Sequence, residues 1–116
     1  MDSIKLVMHI SNDSQESLKN LFSSIYSVLD TVKQSRVEVV ITDRGVINFL
    51  KGNVDKYTYE TIMELIGSGV KFNLCNISLR SLGISSKDLI EGLNNVESGI
   101  IKIIELVNNG YVYIKP

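Results

Sequence analysis

The residue of this chain best suited to chemistry is its single cysteine, Cys75. It follows an alternation of apolar and polar residues over 70–74, which predicts a buried strand that ends at the cysteine. A structural cysteine behaves as a small hydrophobic residue and prefers the apolar phase of such a strand. Cys75 instead falls in the phase of Lys71 and Asn73. The spacing therefore favours a thiol placed for reactivity.

Features that follow the cysteine would activate its thiol. A short helix that begins near Ser78 would direct its positive end at the sulfur, and Arg80 would add a cation nearby. Asn76 would cap that helix or orient the sulfur. A thiolate there could attack a sulfane sulfur, carry it as a persulfide and pass it to an acceptor. An inert, partly buried Cys75 is equally open from the residues alone, because the strand could end one residue earlier.

The chain has one histidine, His9, at the carboxyl end of the first predicted strand. There it could face the same site as Cys75 and act as a base or proton shuttle. A histidine on a buried strand is also a common hydrogen-bonded core residue, so both roles stay open. Other small or polar residues follow the predicted strands or open the next helices. These are the candidate ligand-binding residues: Asn12, Asn76, Ser78, Ser98 and Gly99.

Hydrophobic periodicity predicts the helices that must position these residues. Apolar residues at threes and fours predict a long helix over 13–33, with Asp13 and Glu16 in the spacing of a capping box. Weaker patterns predict short helices near 46–52 and 59–66. A last helix opens at Ser98, and its predicted buried face consists of Ile100, Ile103, Ile104 and Val107.

Alternating and β-branched segments predict the strands, at residues 4–10, 37–41, 70–74, 95–97 and 111–114. Strands that alternate with helices indicate right-handed βαβ crossovers and a parallel sheet. We therefore expect an α/β fold, a flavodoxin-like three-layer sandwich with a five-stranded, mainly parallel sheet. Sites in such sheets lie beyond the carboxyl ends of the strands, which is where Cys75 falls.

Length and composition limit the classes of function. The 116 residues, 44% of them hydrophobic, are the size of one domain over 1–116 with its own core. Twelve Lys and Arg against thirteen Asp and Glu leave a net charge of -1, which argues against nucleic-acid binding. A single cysteine excludes an intrachain disulfide and a metal site built from several thiolates, so no metal is predicted.

The sequence also argues against several cofactors and locations. The loop after the first strand has no glycine and carries Asp13, which would repel the phosphate of a flavin mononucleotide. No Walker A or GxGxxG motif is present, so no cofactor is predicted. The N-terminus enters a strand pattern directly, unlike a signal peptide, and no apolar run is long enough for a membrane span. We expect a cytoplasmic protein with no membrane partner.

Two segments resemble a known family. Residues 69–80, GVKFNLCNISLR, look like the cysteine loop of the DsrE/DsrF-like family, and residues 96–114 resemble its closing segment. The resemblance is closest to the small stand-alone members. It implies a parallel α/β sandwich that assembles as a homotrimer or homohexamer. It also implies a role in sulfur relay, with Cys75 as the persulfide-carrying residue and a sulfur-carrier protein as a possible partner.

Two functions follow as hypotheses. In the first, the protein is a sulfurtransferase or sulfur carrier that accepts sulfane sulfur on Cys75 and transfers it to an acceptor. In the second, it is a non-catalytic oligomeric binding module for a small ligand or partner protein. The tyrosine-rich last strand, with Tyr111 and Tyr113, suits a subunit interface and motivates the second hypothesis.

Overall fold

Strands and helices alternate along the whole of the computed structural model, which describes residues 2–116. The strands are β1 (Ser3–Ile10), β2 (Gln34–Ile41), β3 (Lys71–Cys75), β4 (Asn94–Val96) and β5 (Val112–Ile114). The helices are α1 (Gln15–Thr31), α2 (Lys56–Gly67), α3 (Asn76–Leu82) and α4 (Gly99–Asn108), with 3-10 segments at Asp43–Phe49 and Ser86–Asp88. The predicted α/β class and five-stranded sheet are confirmed.

All neighbouring strands pair in parallel, in the order β4-β3-β2-β1-β5. Ile10 lies opposite Ile41, and Ile41 lies opposite Leu74, so the carboxyl ends of the three central strands meet at one edge. One step further along β3, Cys75 lies opposite Val96 of β4. The register thus brings the ends of four strands to the edge that holds the cysteine.

The two faces of the sheet differ in chemistry. Side chains such as Phe72 and Leu74 point to a face covered by α1, α2, α3 and the segment Asp43–Phe49. There the rings of Phe49 and Phe72 pack at a tilt of 57°, with their centroids 5.9 Å apart. The opposite face is covered by α4 and holds a small cluster of Val7, Val40 and Leu106. Because strand residues alternate between faces, Cys75 lies on the α4 face, in the predicted phase of Asn73.

Connectivity places a crevice between β3 and β4. Strands β1 to β4 follow one another across the sheet, so right-handed crossovers put α1, α2 and α3 on one face. The chain then returns from β4 to β5 at the other edge, and α4 crosses the opposite face. The connections that leave β3 and β4 therefore diverge, which opens the kind of crevice where ligands bind in parallel α/β sheets.

The buried face of α4 differs from the prediction. Ile100, Ile104 and Val107 are 55%, 49% and 44% exposed, whereas Gly99 and Leu106 are buried. The helix is apolar around most of its circumference, so periodicity could not distinguish its two apolar stripes. Gly99 decides the orientation, since its missing side chain lets the helix approach the sheet at this point.

Two predicted caps are also corrected. The N-cap of α1 is Ser14 and not Asp13. The Ser14 hydroxyl accepts a hydrogen bond from the amide of Ser17, whereas Asp13 forms an ion pair with Arg44 at 3.0 Å. Helix α3 begins two residues earlier than predicted, so Asn76 is its first residue and Cys75 is its N-cap. No helix within residues 2–116 is long and apolar enough to cross a membrane.

Candidate functional site

Cys75 occupies the junction between β3 and α3. It is the last strand residue and the N-cap of the helix, and only 5% of it is exposed. The Cys75 side chain makes no N-cap hydrogen bond of its own. The early start of α3 nevertheless places the amides of its first turn, at Ile77 and Ser78, close enough to influence the ionisation of the sulfur.

Polar hydrogens favour the ionised form of this sulfur. Burial raises the pKa of the Cys75 thiol, but hydrogen bonding to the Ser78 hydroxyl and to the amides of Gly99, Ser78 and Ile77 outweighs burial and lowers it below the ordinary value. The donors come from both sides of the crevice, α3 and the start of α4. These hydrogen-bond donors therefore stabilise a negative charge on sulfur.

Ser78 is held in place by the loop after β2. Its Oγ accepts a hydrogen bond from the amide of Asp43 at 2.7 Å, and the residue is 5% exposed. With an oxygen lone pair engaged, the hydroxyl proton is available to the sulfur of Cys75. Asp43 has a φ of 50°, in the left-handed region that aspartate tolerates better than most residues. This turn therefore aims its amide at Ser78.

Gly99 brings a backbone amide from the start of α4 close to the sulfur. A Cβ at this position would overlap the methyl group of Thr42, and it would lie 3.1 Å from Val40 Cγ1 and 3.3 Å from Cys75 Cβ. Only glycine permits this approach without displacement of a neighbour. Ser98 precedes it as the N-cap of α4 and accepts from the amide of Ile101 at 3.2 Å.

His9 lies on the same face of the sheet as Cys75 but bonds to other residues. Its Nδ1 is 2.7 Å from the Tyr113 hydroxyl, and its Nε2 is 2.7 Å from Thr42 Oγ1. Burial and the nearby charge of Lys115 lower the pKa of His9, while Asp43 opposes them. The ring is therefore a neutral, doubly hydrogen-bonded group, and Thr42 connects it to the wall of the cysteine site at Gly99.

Arg80 pairs with a carboxylate across the crevice. Its Nη2 lies 2.5 Å from Oε2 of Glu97, and its Nη1 lies 3.4 Å from Oε1. Hydrogen bonding to Glu97 raises the pKa of Arg80, with a smaller contribution from the Cys75 thiolate. The same pair lowers the pKa of Glu97. The predicted cation, Arg80, is thus near the sulfur. Both Nη atoms of its guanidinium group are paired with the Glu97 carboxylate.

Further contacts join α3 to β4 and to the residue that follows it. The Oδ1 atom of Asn76 accepts from Asn95 Nδ2 at 2.8 Å, and the amide of Ile77 donates to the carbonyl of Glu97 at 3.2 Å. Asn76 therefore orients the walls of the crevice and caps no helix. These contacts hold the donors of α3 and α4 on opposite sides of one sulfur.

Asn12 lies at the end of β1 with contacts of a different kind. Its Oδ1 accepts from the amide of Ser14 at 3.0 Å, and its carbonyl accepts from Asn48 Nδ2 at 2.9 Å. The structure thus ties Asn12 to the start of α1 and brings together around the crevice the other candidates: Cys75, Asn76, Ser78, Arg80, Ser98 and Gly99.

Sequence reasoning missed three contributors. The amide of Asp43 donates a hydrogen bond to Ser78, and the methyl group of Thr42 packs against Gly99. Glu97 forms an ion pair with Arg80. Thr42 and Asp43 directly follow β2 at the edge where sites form, and this position is a signal that could have identified their roles. Within residues 2–116, no three His, Cys, Asp or Glu side chains lie close enough together to hold a metal ion.

The fold and site define a class of parallel α/β proteins in which a cysteine ends one strand and is the N-cap of the helix that follows. A family model described as the DsrE/DsrF-like family matches residues 5–116. The chain therefore belongs to the DsrE/DsrF-like family. This confirms the resemblance noted in the sequence.

Solved structures agree with this assignment. A protein of unknown function, MTH1491 from Methanobacterium thermoautotrophicum, is 31% identical with a TM-score of 0.89, over 97% of this chain and 99% of that chain. The ychN protein from E. coli is 18% identical with a TM-score of 0.70, over 100% of both chains. A conserved protein of unknown function, BT1422 from Bacteroides thetaiotaomicron, is 18% identical with a TM-score of 0.67, over 97% and 94%. No curated protein matches the sequence.

Proposed function

We propose that the protein is a sulfur-relay protein that accepts sulfane sulfur on Cys75 as a persulfide and transfers it to an acceptor. The observation that carries this proposal is the position of Cys75, which ends β3 and is the N-cap of α3. There the Ser78 hydroxyl and surrounding amides lower the pKa of the thiol despite burial. A thiolate is the form of cysteine that attacks sulfur. Membership of a family associated with sulfur relay supports the same function.

The transfer needs neither an oxidant nor a reductant. The Cys75 thiolate attacks the outer sulfur of a donor persulfide, the donor S–S bond breaks, and the donor leaves as a thiolate with the bonding electron pair. An acceptor thiolate then attacks the outer sulfur on Cys75 and restores the Cys75 thiolate. The amides and hydroxyl stabilise the sulfur anion that begins and ends this cycle.

Burial of the sulfur restricts its reaction partners. With 5% of Cys75 exposed, a donor must reach a sulfur at the bottom of the crevice between β3 and β4. A small molecule or a projecting thiol of a sulfur-carrier protein satisfies this requirement. We place the protein in the cytoplasm, where reducing conditions keep a single cysteine as a thiol.

Intact-mass spectrometry after incubation with thiosulfate, polysulfide or a persulfidated carrier protein tests the proposal. We expect the mass to increase by one sulfur atom, and we expect dithiothreitol to reverse the change. Cys75→Ser should remove the adduct. An unchanged mass with every donor, or an adduct that persists in Cys75→Ser, would refute the proposal.

A second candidate function is a non-catalytic oligomeric binding module, a homotrimer or homohexamer that binds a small ligand or partner protein. The observation that favours it is the outward face of α4. This surface exposes large apolar side chains, namely Ile100, Ile101, Ile104 and Val107. Clustered apolar surface of this kind is typical of protein interfaces.

Sedimentation velocity tests the assembly that this second function requires. We expect an oligomer at micromolar concentration and dissociation in Ile104→Glu, since the charge would be buried at the interface. Tyr57→Glu, at an exposed apolar position of α2 on the other face of the sheet, is the matched control and should leave the sedimentation coefficient unchanged. A monomeric wild-type protein would remove the support for this function. Alkylation of Cys75 separates the candidates, because it should abolish sulfur transfer and spare ligand binding.

A further inference from the structure

The ion pair between Arg80 and Glu97 stands beside the reactive sulfur. Arg80 lies on α3, one turn after Cys75, and Glu97 follows Val96, the residue opposite Cys75 in the sheet. The pair thus joins the two walls of the crevice between β3 and β4. The guanidinium group is also close enough to the Cys75 thiolate to interact with its charge.

The chemistry of the pair matches that of an anionic donor. Arginine presents a planar fork of donors that fits carboxylates and similar oxyanions, and Glu97 engages both Nη atoms of Arg80. The side chains are 63% and 67% exposed. Exposed ion pairs contribute little net stability, so another anion can replace the carboxylate at small cost.

Charge makes such a replacement necessary. A donor that carries negative charge meets two like charges at the crevice, the Cys75 thiolate and the Glu97 carboxylate. The guanidinium group of Arg80 is paired with Glu97. It compensates the repulsion of the donor only when its nitrogen atoms release Glu97 and bind the donor. A neutral molecule has no such requirement.

We propose that Arg80 binds the anionic group of a small sulfur donor, and that Glu97 occupies this binding site until the donor displaces it. The inference rests on the proposed sulfur-relay function and names the class of donor: a small molecule that carries negative charge next to the transferred sulfur. For thiosulfate, the Cys75 thiolate attacks the outer sulfur, the S–S bond of thiosulfate breaks, and sulfite leaves with the bonding electron pair. Cys75 then carries a persulfide.

A matched pair of alkylating reagents tests the anion site separately from sulfur transfer. Iodoacetate and iodoacetamide form the same bond with Cys75 and have similar size, but only iodoacetate is charged. The ratio of their rates therefore cancels access to the buried sulfur and its thiolate fraction. We expect Glu97→Gln to raise the iodoacetate-to-iodoacetamide ratio about 3- to 10-fold and Arg80→Gln to lower it by a similar factor.

The control is Glu60→Gln, which removes the same charge from an exposed pair with Lys56 on α2 and should leave the ratio unchanged. At ~1 M salt the differences should shrink, because the charges are screened. Equal ratios in wild type, Glu97→Gln and Arg80→Gln would overturn the inference. If the ratios change as expected while thiosulfate adds no sulfur to any variant, the anion site stands and the relay function fails.

Discussion

Ser78 links the amide of Asp43 to the sulfur of Cys75, because its Oγ accepts from Asp43 at 2.7 Å while its proton is available to the thiolate. The sulfur of Cys75 is thereby coupled to the segment that follows β2. The site therefore depends on a hydroxyl held by a residue that follows another strand.

Removal of the Ser78 hydroxyl should make Cys75 less acidic. In Ser78→Ala the thiolate loses a donor, so its pKa should rise, and the alkylation rate at pH 7 should fall about tenfold, as expected for a charge-assisted hydrogen bond of ~1.5 kcal/mol. The measurement is iodoacetamide alkylation rate against pH. Ser81→Ala, on the exposed side of the same helix, should behave as wild type. An unchanged profile in Ser78→Ala would show that the hydroxyl is not a donor to the sulfur.

A methyl group on Gly99 should disturb both stability and acidity. Gly99→Ala places its Cβ against Thr42 and Val40, so we expect a loss of about 1–3 kcal/mol in the free energy of unfolding and a higher pKa of Cys75. Urea unfolding and the alkylation profile measure the two effects. Gly67→Ala, where a Cβ meets nothing within 4 Å, is the control.

Thr42→Ser provides a rescue for the same position. The substitution removes the methyl group that a Cβ on Gly99 would overlap and keeps the hydroxyl that contacts His9. Combined with Gly99→Ala, it should recover part of both the stability and the acidity. A double variant no better than Gly99→Ala would contradict this account of the glycine.

Acid should destabilise the fold through His9. Burial lowers the pKa of His9 below its unfolded value of 6.5, so protonation favours the unfolded state. The stability that neutral His9 contributes is complete above the unfolded pKa and is lost as the pH falls toward the folded pKa. Urea unfolding at about pH 7.5 and about pH 5.5 should therefore show a smaller decrease in His9→Gln than in wild type. Equal decreases would exclude His9 as the source.

Burial should decide the contribution of two ion pairs of equal length. Lys102 and Glu38 are 3.9 Å apart with side chains 28% and 10% exposed, and Lys56 and Glu60 are also 3.9 Å apart but 91% and 61% exposed. Lys102→Met leaves a mostly buried carboxylate with fewer partners and should cost about 1 kcal/mol in the free energy of unfolding. Lys56→Met should cost nothing measurable. A larger loss in Lys56→Met would reverse this ranking.

The sequence was sufficient for the fold and for the location of the sulfur. Alternation over β3 correctly separated the phase of Cys75 and Asn73 from the phase of Phe72 and Leu74. Long-range detail was beyond it. Ile100 and Ile104 of α4 have the same apolar character as Ile103, so only the tertiary approach at Gly99 decides which of them is buried.

Most of the donors around the sulfur have no signature in residue type. The amides of Ile77 and Ser78 act through backbone geometry, which any residue could supply. Arg80 was identified as a cation near Cys75, but its partner Glu97 lies 17 positions away in the chain. Pairings of this kind depend on the register of β3 and β4, and no local pattern specifies that register.

The rings of Phe49 and Phe72 pack on one face of the sheet, and the sulfur of Cys75 lies on the other. Phe49 shares its 3-10 segment with Asp43, which supports Ser78, whereas Phe72 has no such connection. A protein engineer who substitutes Phe72 should therefore change the melting temperature more than the thiol, and one who substitutes Phe49 should change both.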